Sequence, residues 1–131
     1  MELTIHTRGQ FDFTDLTPRL NGWLTQTGVR EGAVLVFVKH TTAALMVNEL
    51  EEGVQEDTTA FWRRLVPPEG DYQHNQLRQD DNAHAHLLNM LLHPCLTLPV
   101  KDGVLDLGVW QKVFLVELDK PRTRQVVVQV L

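Results

Sequence analysis

The last third of the chain constrains the fold most. From Cys95 onward it reads "CLTLPV", "KDG", "VLDL", "VWQKVFLVELD", "KPR" and "RQVVVQVL", short runs of β-branched and apolar residues punctuated by turn residues. Strands joined by such tight turns run antiparallel. This part of the chain therefore specifies hairpins, and the remainder must supply the layers that cover them.

Three earlier segments carry a helical period. The first starts at Asp15, has Pro18 in its first turn and stops at Gly28, and its Leu16, Leu20, Trp23 and Leu24 form one apolar stripe. The second runs from Glu51 to Leu65, with Val54, Phe61, Trp62 and Leu65 on one face. Its acids in the first turn and Arg63 and Arg64 in the last suit the helix dipole, and Pro67 and Pro68 end it. The third is "DDNAHAHLLNMLLHP", with Asp80, Asp81 or Asn82 as N-cap and Pro94 beyond its end. The intervening "PPEGDYQHNQLRQ" has the composition of a loop. Leu3 to Thr7 alternates as a strand. A second strand runs through "AVLVFV" to His40, with Val34, Val36, Val38 and His40 on one side, and Ala43 to Asn48 is a further extended piece. Strands and about three helices that segregate in this way predict an α+β fold, a single domain over residues 1–131 built mostly of antiparallel sheet layers.

The composition excludes some partners. Seventeen acidic against twelve basic residues give a net charge of −5, which argues against a nucleic-acid partner. The apolar runs are too short to span a bilayer, and "MELTIHTRGQ" lacks the basic and apolar regions of a secretory signal, so the expected location is cytoplasmic, with no membrane partner. Cys95, the single cysteine, cannot form an internal disulfide and reads as a small buried hydrophobe. The glycines of "VKDGVLDLGV" belong to a hairpin and a strand start, not to a phosphate loop.

Histidines and carboxylates are the candidates for chemistry, because a neutral imidazole binds metals or moves protons near neutral pH. His84 and His86 are two residues apart. On a helix they diverge by about 200°, so they do not ligate one ion together. His84 shares a face with Leu87, Leu88 and Leu91 and reads as core or interface, whereas His86 lies on the more polar edge. His40 is followed by Thr41 and Thr42, whose amides and hydroxyls suit an anion beside the ring. His74 lies in loop composition, and His6 and His93 read as structural or exposed. Glu49, Asp80 and Asp81 suit ligands, bases or helix caps.

The set "HTTAALMVNE", "YQH", "DDNAHAHL", "CLTLPVKDGVLDLGVWQ" and "PRTRQVVVQV" closely resembles the YjbQ family, also labelled secondary thiamine-phosphate synthase. The resemblance implies a compact α+β protomer, a homotrimer, and a histidine-containing site for a divalent metal. Carried onto this chain, it implies a metal-dependent enzyme acting on a small phosphorylated substrate. His40, His74 and His86 would hold the ion, zinc by its ligand chemistry. Glu49 or a carboxylate of Asp80 or Asp81 would serve as catalytic base or orienting group, and Thr41, Thr42 and Arg122 would bind the substrate. Thiamine-phosphate formation, by displacement of pyrophosphate, is the implied activity. The alternative is a non-catalytic trimeric binding protein for a small anion. The chain departs from the family pattern at Cys95 for a usual Ser, Leu88 for a usual Lys and Val109 for a usual Thr.

Overall fold

The computed structural model describes residues 1–49 and 51–131. Eight strands and four helices follow one another as β1 (Glu2–His6), β2 (Phe13–Asp15), α1 (Thr17–Thr27), β3 (Gly32–Val38), β4 (Ala43–Glu49), α2 (Glu52–Leu65), α3 (Gln73–Arg78), α4 (Ala83–Leu92), β5 (Cys95–Lys101), β6 (Val104–Leu105), β7 (Gln111–Glu117) and β8 (Thr123–Val130). The strands form two antiparallel sheets, one ordered β1-β8-β3-β5-β6 and the other β2-β7-β4. The α+β architecture expected from the hairpins and segregated helices is the one found.

Period-two alternation places the core. Val34, Val36 and Val38 of β3, Val126 and Val128 of β8 and Leu98 and Val100 of β5 point inward from the larger sheet. They meet Leu45, Val113 and Leu115 of the smaller sheet and Leu16, Leu20 and Leu24 from α1 and its N-cap. The opposite side of the smaller sheet presents Ala44, Phe114, Val116 and Leu118 to Trp62 of α2 and to Ala85 and Leu88 of α4. The molecule is thus sheet on sheet on helices. Among the described residues no helix is long and apolar enough to cross a membrane.

Three local expectations change. The segment read as loop contains α3, a helix of six residues, so the described residues form four helices. A short strand, β2, precedes α1, and Asp15 ends it while accepting the Thr17 N–H at 2.9 Å. In α2 only Trp62 of the expected stripe is buried, and Phe61 and Leu65 are each 52% exposed. The helix rests on the sheet through a narrower face than its apolar residues suggest.

The β4–β7 ladder has two well-separated ends. Ala43 pairs with Glu117 at one, and Glu49 pairs with Gln111 at the other. Six residues at the rise of a strand separate them by about 20 Å.

Candidate functional site

The inter-sheet core ends in charged residues. Glu117 continues the inward row of Val113 and Leu115, and Arg124 continues that of Val126 and Val128, so both are buried at one end of the sandwich. Arg124 Nε donates to Glu117 Oε1 at 2.8 Å, and Thr7 Oγ1 donates to the same carboxylate at 2.6 Å. The other Glu117 oxygen accepts the N–H groups of Leu118 and Asp119 at 3.1 Å each. Arg124 also donates to the carbonyl and hydroxyl oxygens of Thr42 at 3.0 and 2.9 Å. This network pins the turn from Lys39 to Thr42 against β8.

That turn forms one wall of a cleft of about 350 Å³ lined by Lys39, His40, Thr41, Thr42, Asn82, His86, Arg122 and Arg124. Three cations stand in this lining and no carboxylate does. His40 Nε2 accepts the backbone N–H of Gln125 at 2.9 Å, which places the ring proton of the neutral form on Nδ1. Burial lowers the His40 pKa, and Arg124, Arg122 and Lys39 lower it further against the opposing pull of Glu117. The ring is therefore a neutral donor with its acceptor nitrogen already occupied.

A second chain of bonds orients the other wall. Asp119, 7% exposed, accepts from Arg122 Nε at 3.0 Å and from Asn82 Nδ2 at 3.2 Å. Asn82 Oδ1 is then left to accept the Nε2–H of His74 at 2.9 Å. His74 meets His86 edge to face, with ring centroids 4.7 Å apart. The pKa of His86 is lowered, first by burial and then by His74, against Asp119 and Asp80. Next to this pair, Tyr72, Gln73, Ala83, Leu87 and Met90 surround a more apolar cavity of about 380 Å³, which joins the first through His86. The helix behind it, α4, is held by Asn75, whose Oδ1 accepts the Ala83 N–H at 3.0 Å, and by Asn89, whose Nδ2 donates to the Ala43 carbonyl at 2.7 Å.

The structure brings together His40, Thr41, Thr42, His86 and Arg122 in one cleft, with His74 against His86. The divergence of His84 from His86 holds: His84 is 6% exposed and contacts Gln10 at 2.8 Å. Cys95 is half-buried. Two expected residues stand apart from the cleft of their own chain. Glu49 is at the far end of β4, because a strand carries it away from the turn that holds His40. Asp81 turns its 83% exposed side chain to Lys120 at 3.8 Å. Thr42 is buried beneath Arg124, and its role is to hold the turn.

A three-imidazole zinc centre does not fit this donor set. The acceptor nitrogen of His40 is engaged by Gln125, and among the described residues no three His, Cys, Asp or Glu side chains gather around one cation position. His74 and His86 alone are paired. Sequence reasoning missed Asn82 as more than a cap, and it missed Lys39, Glu117, Asp119 and Arg124. A signal was present: Glu117 and Asp119 alternate at the end of the apolar "VFLVELD", and Arg122 and Arg124 alternate in "RTR", so each pair repeats at the period of a strand.

Comparison with known proteins finds the whole of residues 1–131 matched by the family model described as UPF0047 protein YjbQ-like. A UPF0047 protein of Archaeoglobus fulgidus is 42% identical over 131 residues, with both chains fully covered. One of Methanothermobacter thermautotrophicus is 38% identical, covering 98% of this chain and 89% of its own. Among crystal structures, a hypothetical protein of Aeropyrum pernix K1 superposes with a TM-score of 0.93 at 40% identity, covering 100% of this chain and 96% of that one. A YbjQ-like protein of unknown function from Sulfolobus solfataricus P2 gives 0.93 at 37% identity over 99% of this chain and 94% of its own.

Proposed function

The chain belongs to the YjbQ-like UPF0047 family along its entire length, and from that premise and the geometry of the cleft we propose that it is an enzyme acting on a small phosphorylated substrate. One observation carries the reading. The Nδ1–H of His40, fixed as a donor by Gln125, and the cations of Lys39, Arg122 and Arg124 line the same cavity as the neutral imidazole of His86. Donors and positive charge without a lining carboxylate suit a phosphoryl group. A neutral imidazole on the opposite wall suits proton transfer to or from the rest of the substrate.

Thiamine-phosphate formation belongs to this class. A ring nitrogen displaces pyrophosphate, and the departing charge would be met by His40, Thr41, Lys39 and Arg122. No step is routed through a metal, since the residues of one chain do not make the expected centre. A homotrimer is part of the same proposal.

A second reading, a non-catalytic anion-binding protein, rests on the pairing of each cleft cation with a carboxylate of its own chain: Lys39 with Glu2, Arg122 with Asp119 and Arg124 with Glu117. Calorimetric titration with inorganic pyrophosphate tests what the two share. Wild type binds, and His40→Ala and Arg122→Gln each weaken binding by at least about tenfold; unchanged affinity in both variants sinks the anion site. Rescue of a thiamine-requiring strain then separates the readings. An enzyme loses rescue in His86→Asn while pyrophosphate binding persists, whereas wild-type protein that binds pyrophosphate without rescue favours the binding protein.

A further inference from the structure

Trp110 is 68% exposed and its neighbour Val109 is 83% exposed. A large aromatic side chain in water is costly unless something covers it. The turn that carries it is braced: the Gly108 N–H donates to Gln111 Oε1 at 2.7 Å, and the Gln111 N–H donates to the Gly108 carbonyl at 2.9 Å. Trp110 is therefore a knob held out by a fixed turn.

A different part of the surface offers a hole. The apolar cavity beside His74 and His86 is walled by Tyr72, Leu87 and Met90, and the surrounding surface of α3 and α4 exposes Leu77 (78%), Met90 (68%) and Leu91 (58%). The knob cannot fill the hole of its own chain. Trp110 precedes β7 at the Glu49 end of the small sheet, and the cleft lies about 20 Å away at the Glu117 end.

We propose that a second copy of this chain completes the site by seating its Trp110 in the apolar cavity beside His86. The inference rests on the cleft being the working site and names what closes it. Charge agrees with the pairing. Glu49 pairs with Gln111 beside the knob, while the cleft that adjoins the hole at His86 is lined by Lys39, Arg122 and Arg124 and by no carboxylate among the described residues. The docked turn shields the His74–His86 pair from water and brings Glu49, paired with Gln111 beside Trp110, toward the cleft its own chain cannot reach. Knob and hole are different patches, so the contact is head to tail, and a limited number of copies closes into a ring.

The test uses full-length protein with Cys95→Ser as background. The double variant Val109→Cys/Met90→Cys, treated with a short bismaleimide, yields covalent multimers on a denaturing gel, and neither single variant does. Light scattering finds wild type assembled at micromolar concentration. Trp110→Ala, with an unchanged far-ultraviolet spectrum, raises the dissociation constant at least about tenfold. Monomeric wild type, or an assembled protein whose double variant gives no more multimer than the single variants, overturns the proposal. Failure of pyrophosphate to bind while the cross-link forms sinks the anion-site reading instead and leaves this contact standing.

Discussion

His40 has one nitrogen for the fold and one for the site. Its Nε2 stands where a strand carbonyl would otherwise accept the Gln125 N–H, so the ring continues the β3–β8 ladder past Val38, and Nδ1–H is what remains for a ligand. Removing the ring orphans a half-buried backbone donor. His40→Ala is therefore expected to cost about 1–3 kcal/mol of stability, while His40→Gln, whose amide oxygen reaches the same N–H, costs less. Urea unfolding of the two variants measures the difference, and equal losses would show that the Gln125 bond contributes nothing. The sequence singled out this residue because a histidine closing a row of valines is conspicuous. It could not show which nitrogen was free, since that depends on a backbone N–H 85 positions away.

At the scale of elements, long periodic segments were legible and short ones were not. The hairpins after Cys95 and the stripe of α1 declare themselves because alternation and helical spacing each repeat several times. The six residues of α3 hold too few turns for a period, and α2 buries only Trp62 because Phe61 and Leu65 lie off the contact with the sheet. Most of the candidate site was likewise legible as separate residues, His40, Thr41, His86 and Arg122, but the Asn82–Asp119 and Thr7–Glu117 bonds that orient it join segments 37 and 110 positions apart. No local pattern records such pairings. The helix α4 makes the point testable, since two adjacent leucines face different ways: Leu88 is fully buried against the small sheet and Leu87 is 38% exposed at the cavity. Leu88→Ala is expected to cost about 2–5 kcal/mol and Leu87→Ala about 0.5 kcal/mol in the isolated chain. Chemical denaturation at low protein concentration is the measurement, and a reversed order would mean that α4 is rotated from the orientation described.

For the whole molecule, the shifted histidines and carboxylates all lean the same way on pH. His40 and His86 are lowered from 6.5 chiefly by burial, so above that value folded and unfolded chains are both neutral there and stability does not depend on them. As pH falls through 6.5 the unfolded chain takes up protons that the folded one refuses, and stability declines until the lowered folded values are reached. The carboxylates add a later step. Asp12 is lowered from 3.8 because its bonds to Arg8 outweigh a burial effect that acts upward. Glu51 is lowered from 4.5 by the Gly53 and Val54 amides it caps, and Asp80 from 3.8 by the Asp81 amide. Their stabilisation is present above the ordinary carboxylate range and disappears as pH falls through the folded values, and solvent screening keeps it small because Glu51 and Asp80 are exposed. The midpoint of urea unfolding should then hold level between about pH 8 and about pH 7 and fall by about pH 5, with a second decline below about pH 4. His86→Gln should shrink the first decline and leave the second, because the substitution removes a proton site that the unfolded chain fills at a higher pH than the folded one; a midpoint that rises between pH 7 and 5 would mean the cleft favours charged imidazoles, and with them a resident anion.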